Sequence, residues 1–297
     1  MEPLRVGLVG AGPWARAVHA PGLAAHPRVE LAGVWARRST ACADLAAASG
    51  TRPYGAVAAL IDDVDAVAFA VPPDVQAELA TSAARAGRHL ILDKPIAGSL
   101  AGADELVAAV GEAAVASLVM LTLRFSPETR EWLAELASGR TTGGWSGGTA
   151  TWLSGALLGG DYAASAWRHR SGALVDVGPH AFDVLDAALG PIVDVVAATR
   201  REPDLWTVML AHEGEAVSTA TLSLRVPATP SIVAVDVYGS AGHRQLQPRR
   251  TTPQECYATL LDELVEMIDS GARDHPCDVR RGRHLQWVID EAGALTG

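Results

Sequence analysis

The sequence has 297 residues, 34 acidic against 24 basic, for a formal net charge of −10, with 49% hydrophobic and 20% charged residues. At roughly 150 residues per domain this is about two domains with a buried core, which excludes a peptide, a disulfide-stapled miniprotein and a disordered chain. The acidic excess leaves no basic patch for phosphate neutralisation and excludes a general nucleic-acid binder.

No apolar run approaches the roughly 18 residues that a membrane span requires. The opening segment Met1-Glu2-Pro3-Leu4-Arg5 has neither the basic region nor the cleavage site of a signal peptide, so a cytoplasmic location is expected. Three cysteines, Cys42, Cys256 and Cys277, are odd in number, far apart and outside any CxxC, which fits free or buried thiols. The chain holds 55 Ala, no Asn, and 23 Arg among its 24 basic residues; the one lysine is Lys94. Such a bias follows from GC-rich codon usage and marks Lys94 as a position where arginine does not substitute.

From residue 4 to about 122, short apolar runs alternate with helical patterns. The runs Leu4–Val9, Val29–Trp35, Ala66–Val71, His89–Leu92 and Val115–Leu121 predict strands, and residues 15–25, 39–49, 74–86 and 99–113 predict helices. Buried strands with helical crossovers describe a Rossmann-type, doubly wound parallel sheet over residues 1–122. The first run leads into Gly10-Ala11-Gly12-Pro13-Trp14-Ala15, a GxGxxA fingerprint between strand and helix. Gly10 permits the turn, Gly12 leaves room for a pyrophosphate, Ala15 allows close packing, and Pro13 suits a first helical turn. Trp14 and Trp35 either stack on adenine or pack.

The second run ends Trp35-Ala36-Arg37-Arg38-Ser39-Thr40, without the acidic residue that would hold a ribose 2′-hydroxyl. Ala36 removes the repelling carboxylate, and Arg37 and Arg38 offer charge to a 2′-phosphate, so NADP is expected over NAD. The competing reading makes these arginines solvated surface charge. Lys94 falls at the carboxyl end of the fourth predicted strand, where ligands bind in open α/β sheets.

Past residue 123 the pattern changes. A glycine-rich stretch, Gly139 to Gly160, leads to a helix near 174–189, strands near 192–200, 205–212, 216–225 and 231–238, and closing helices near 254–270 and 279–295. These predict an α+β domain over residues 123–297 with a mainly antiparallel open sheet. On one continuous helix Asp176, His180 and Asp183 would share a face. Three readings compete there: metal ligation, a structural polar stripe, and acid–base catalysis by His180 with a carboxylate one turn away. No further ligand at metal spacing supports the first. Arg124, Trp167 and Arg168 are either candidates for binding polyol hydroxyls or a carboxylate, or structural residues. The remaining histidines, His19, His26 and His212 among them, read as surface or satisfied core residues.

Four segments together resemble the glucose–fructose oxidoreductase/inositol dehydrogenase/rhizopine catabolism (Gfo/Idh/MocA) family: the glycine fingerprint, Val71-Pro72-Pro73-Asp74, Leu92-Asp93-Lys94-Pro95, and Asp176-Val177-Gly178-Pro179-His180. The resemblance covers essentially the whole chain. It implies an NAD(P)-dependent oxidoreductase acting on a secondary alcohol or ketone of a sugar, cyclitol or related polyol. Lys94, Asp176 and His180 are the implied catalytic set, and Val71, Pro72, Gln76, Asp93 and Lys94 itself are implied cofactor contacts. It also implies a homodimer or homotetramer formed through the open sheet. Gln76 stands where the family often has His, Asp93 where it commonly has Glu, and Thr122 where an amide is usual. The alternative is a non-catalytic NAD(P)-sensing protein of the same fold.

Overall fold

A computed structural model describes residues 2–139 and 144–296. Its first sheet comprises β1 (Leu4–Val9), β2 (Val29–Trp35), β3 (Ala66–Phe69), β4 (His89–Leu92) and β5 (Ser117–Val119), all parallel in the order β2-β1-β3-β4-β5. β3, β5 and the last four residues of β1 are wholly buried, as strands covered on both faces require. The crossovers carry α1 (Ala20–Ala25), α2 (Ser39–Ala48), α3 (Val57–Asp62), α4 (Pro73–Arg85) and α5 (Leu100–Ala113). Strand order reverses between β1 and β3, and the Gly10 turn lies at that switch point.

The helix expected over 15–25 opens instead as a π-turn, Ala15–His19, in which the Ala20 N–H donates to Ala15 O. Pro21 explains part of the departure, since it has no N–H for the Ala17 carbonyl four residues back. The side-chain amide of Gln254 donates to that oxygen at 2.9 Å.

Gln254 belongs to α9 (Pro253–Ser270), which corrects the expected division of the chain. The chain forms two compact units, Met1–Thr122 with Thr252–His284, and Leu123–Thr251 with Leu285–Gly297. Residues 252–284, grouped by sequence with the second domain, therefore belong to the first. The reason is α9's apolar stripe of Cys256, Tyr257, Leu260, Leu261, Leu264 and Val265, which is buried against the π-turn, α1 and β5. Each such side chain contributes roughly 1.5–3 kcal/mol when fully buried. A capping box between Thr252 and Glu255 starts the helix.

The second unit holds a 3₁₀ turn ending at Phe125, α6 (Pro127–Gly139), β6 (Gly147–Leu153), α7 (Ala166–Asp176), α8 (Gly178–Leu189), β7 (Ile192–Arg201), β8 (Leu205–His212), β9 (Val217–Ser223), β10 (Ile232–Gly239) and β11 (Gly242–Gln245). Its sheet runs β11-β10-β6-β9-β8-β7; β6 and β9 are parallel and every other pair is antiparallel. β6 lies inside the glycine-rich stretch Gly139 to Gly160, to which the sequence pattern assigns no strand and of which residues 140–143 lie outside the described residues. β8 alternates exposed and buried positions, the signature of a sheet covered on one face. α8 covers that inner face over β6, β9 and β10. α10 (Val279–Ala294) begins in the first unit and ends in the second.

All three cysteines are free and buried. Among the described residues, no helix is long and apolar enough to cross a membrane.

Candidate functional site

In the first unit the glycine loop has the shape of a phosphate cradle. Gly10 adopts φ 122°, and a Cβ there would lie 2.3 Å from Ala70 O, so only glycine fits. A Cβ on Gly12 would instead meet nothing within 4 Å; the missing side chain leaves open space beside the backbone. Val71 borders the turn, its Cγ1 lying 3.2 Å from the Cβ position of Gly10. Trp14 Nε1 is buried without a hydrogen-bond partner among the described residues. The residues present therefore fit a dinucleotide's pyrophosphate. At the end of β2, Arg37, Arg38, Ser39 and Thr40 are exposed, Arg38 precedes α2 in an extended conformation, and the first turn of α2 has no acid.

Lys94 sits just past β4 and is half-buried; its own N–H donates to Asp93 Oδ1 at 2.9 Å, and the Lys94–Pro95 peptide is cis. The backbone around it is held by Gln76, which is fully buried. Gln76 Nε2 donates to the carbonyls of Asp93 (2.8 Å), Pro95 (3.2 Å) and Ile96 (3.2 Å), while its Oε1 accepts from the Asp93 N–H at 2.8 Å. Gln76 is thus a brace for the lysine loop, its amide bonded on both sides to that backbone.

Behind the glycine loop, His19 Nδ1 and the Tyr257 hydroxyl are 3.1 Å apart, both residues fully buried. Burial lowers the His19 pKa to about 3. Burial, and then the nearby Asp93 charge, push the Tyr257 hydroxyl well above its usual value. Both side chains are therefore neutral near pH 7.

In the second unit the continuous helix expected over 174–189 is broken. The interruption is at Val177 (φ −111°, ψ −17°), which separates the end of α7 at Asp176 from the start of α8 at Gly178; upstream, Gly172 at φ 67° and ψ −164° kinks α7 itself. A Cβ at Gly172 would come within 2.4 Å of Asp204 Oδ1. That buried carboxylate accepts the N–H groups of Ala173 at 3.0 Å and Leu224 at 3.1 Å, joining the restarted turn to the end of β9. Asp176 thus ends α7, whereas His180 and Asp183 lie on α8.

The three polar residues have separate neighbours. Asp176 Oδ2 accepts from Arg168 Nε at 3.1 Å. Asp183 Oδ1 accepts from Arg124 Nη1 at 3.0 Å, a pair in which the carboxylate is 1% and the arginine 14% exposed. The His180 ring stacks on Trp152 of β6, centroids 5.5 Å apart and planes at 21°. Arg124 and Arg168, candidates for binding substrate, each pair with one of these carboxylates. Arg168 also lies 4.5 Å from the Tyr162 ring centre and 4.4 Å from that of Trp167, and its Nη1 donates to Ser165 Oγ. The Arg168 guanidinium thus covers one face of the Trp167 ring. Among the described residues no group of three His, Cys, Asp or Glu is placed to hold a metal.

Trp152, Tyr162, Asp204 and Tyr257 escaped the sequence reading. The alternation Thr149-Ala150-Thr151-Trp152 carries a strand signal that the flanking glycines masked. The others have only tertiary signals.

Residues 4–121 match the profile of an oxidoreductase family with an NAD-binding Rossmann fold, GFO_IDH_MocA, and residues 130–244 match the GFO/IDH/MocA C-terminal domain. Among curated relatives, the chain is 32% identical to a 4-carboxy-2-hydroxymuconate-6-semialdehyde dehydrogenase of Sphingobium sp. (strain NBRC 103272 / SYK-6), over 42% of this chain and 40% of that protein. It is 35% identical to a dTDP-3,4-didehydro-2,6-dideoxy-α-D-glucose 3-reductase of Streptomyces antibioticus, over 35% of this chain and 33% of the reductase. These matches span less than half of either relative. Among solved structures, GenD2 from gentamicin A biosynthesis, in complex with NAD, superposes with a TM-score of 0.86 at 22% identity, covering 99% of this chain and 94% of that one.

Proposed function

The chain belongs to the GFO/IDH/MocA oxidoreductase family, and on that premise we propose that it is an NADP(H)-dependent oxidoreductase interconverting a secondary alcohol and a ketone on a sugar or related polyol. The observation that carries the reading is Lys94 at the carboxyl end of β4, in a loop whose backbone the buried Gln76 amide grips through four hydrogen bonds. A surface lysine needs no such brace.

Gly10, Gly12, Pro13 and Trp14 would hold the pyrophosphate, Val71 and Pro72 would border it, and Arg37 and Arg38 would meet the 2′-phosphate, since Ala36 brings no opposing carboxylate. When bound, the nicotinamide supplies or accepts the hydride. In the oxidative direction His180 takes the hydroxyl proton, and the Lys94 ammonium donates a hydrogen bond to the oxygen on which negative charge develops. Asp176, fixed by Arg168, orients His180 or a substrate hydroxyl. Asp93 keeps the Lys94 N–H bonded and the loop in shape. The aromatic faces of Trp152, Tyr162 and Trp167, on the unit that carries His180, suit sugar C–H surfaces. The dTDP-sugar reductase among its relatives supports that substrate class.

The outer face of the second sheet exposes Val193, Val196, Leu205, Met209, Val217 and Ile232. It is proposed to pair with a second copy, which sedimentation of the purified chain would show as a dimer or tetramer and refute as a monomer. The enzymatic reading is tested by NADPH oxidation with a panel of keto-sugars, and NADP⁺ reduction with the corresponding sugars and cyclitols. Turnover with one class supports it; tight cofactor binding with no turnover on either panel favours a non-catalytic sensor.

A further inference from the structure

The π-turn that follows the glycine loop contains a single arginine, Arg16, and its side chain runs laterally across the surface. Arg16 Nε donates to the Ala11 carbonyl in the glycine loop at 3.3 Å, and Nη2 donates to the Ala41 carbonyl in the first turn of α2 at 3.1 Å. One side chain thereby bridges the loop after β1 and the first turn of α2, the helix that follows the adjacent strand β2. Holding an exposed arginine in this geometry costs side-chain entropy that the two backbone bonds offset.

The bridge fixes where the charge sits. A guanidinium has five N–H groups, and the two backbone bonds leave both of those on Nη1 without a further partner among the described residues. The charge lies against Ala41, directly after Arg37, Arg38, Ser39 and Thr40. Neither the π-turn nor the first turn of α2 contains a carboxylate to neutralise it.

We propose that Arg16 is a third guanidinium of the 2′-phosphate subsite and a determinant of selectivity for NADP(H) over NAD(H). This rests on the NADP(H) reading above. A doubly charged phosphate ester beside Ser39–Ala41 lies within the field of Arg16 and gains charge-assisted hydrogen bonds from Nη1. A 2′-hydroxyl at the same place gains little. The pyrophosphate is common to both dinucleotides, so any contribution of Arg16 through the glycine loop weakens both equally on removal, and the 2′-phosphate contribution appears as the difference.

The test is direct binding of NADPH, NADH and 2′,5′-ADP to the full chain by titration calorimetry, for wild type and Arg16→Gln, without any turnover. The substitution is expected to weaken NADPH and 2′,5′-ADP by about ten-fold or more, and NADH by no more than about three-fold. Retained NADH binding shows that the variant is folded. Equal losses for NADPH and NADH, or no loss for either, overturn the assignment of Arg16 while a wild-type preference for NADPH stands. Wild-type protein that binds NADH as tightly as NADPH overturns the NADP(H) reading and this inference together.

Discussion

Replacing Gln76 by leucine removes the brace on the lysine loop while keeping the side chain's volume. The amide has two N–H groups for three carbonyls and one oxygen for the Asp93 N–H, so about three full hydrogen bonds are lost. At about 1 kcal/mol per buried amide bond, with a further penalty for the backbone groups left unsatisfied, the cost is about 3–4 kcal/mol. For a unit of this size that is a Tm lower by about 10 °C, measurable by calorimetry or circular dichroism. Gln76→Glu restores the acceptor for Asp93 but sets a carboxylate against three carbonyls. Protonation supplies the missing donor, so the folded pKa of this glutamate lies above its unfolded value. The deficit of this variant relative to wild type should therefore shrink below the unfolded pKa of about 4.3 and grow as pH rises through the raised folded pKa. A Gln76→Leu protein with the wild-type Tm would refute the reasoning, since it would mean that the loop holds its shape without the amide.

The two loop glycines should separate stability from binding: Gly12→Ala leaves the Tm within about 2 °C and weakens NADPH, whereas Gly10→Ala, facing Ala70 O at 2.3 Å, destabilises by about 3 kcal/mol. Thermal melts and cofactor titrations on the same samples check both. His19, with a folded pKa of about 3 against about 6.5 unfolded, contributes stability that is complete above pH 6.5 and lost as pH falls toward 3. Between pH 6.5 and 4.5 the loss is about 2–3 kcal/mol, and urea unfolding of His19→Gln should lack that part of the slope. Asp204→Asn turns one acceptor of the Ala173–Leu224 clamp into a donor and should cost about 2–3 kcal/mol by urea unfolding; a cost within error of zero would show that the restarted turn does not depend on it.

The parallel sheet is legible in the sequence because strands buried on both faces are continuous apolar runs, and Lys94 is legible because it follows one of them. β6 is hidden by its opening glycines and threonines, although it is a central strand. α9's stripe announces a buried face but not against which unit, so only the folded chain returns residues 252–284 to the first sheet. The spacing of Asp176, His180 and Asp183 suggests one face of one helix, but the segment divides at Val177, and Asp176 pairs back along α7 with Arg168 while His180 and Asp183 meet Trp152 and Arg124 from other elements. Arg168, Arg124 and Trp152 come from three separate elements, and no local pattern encodes such pairings. The lysine brace has the same origin: Gln76 and Asp93 are separated by a helix and a strand, and neither residue type alone marks the pair.

The central claim is that Lys94 and His180 carry the chemistry of a reaction whose hydride moves to or from a bound nicotinamide. Its most direct test is the change in absorbance of the reduced nicotinamide during turnover on the best substrate of the sugar panel, for wild type, Lys94→Met and His180→Ala, with NADPH affinity measured in parallel. Both variants should bind NADPH within a few-fold of wild type and lose turnover by roughly 100-fold or more. Turnover near the wild-type rate in either variant would contradict it.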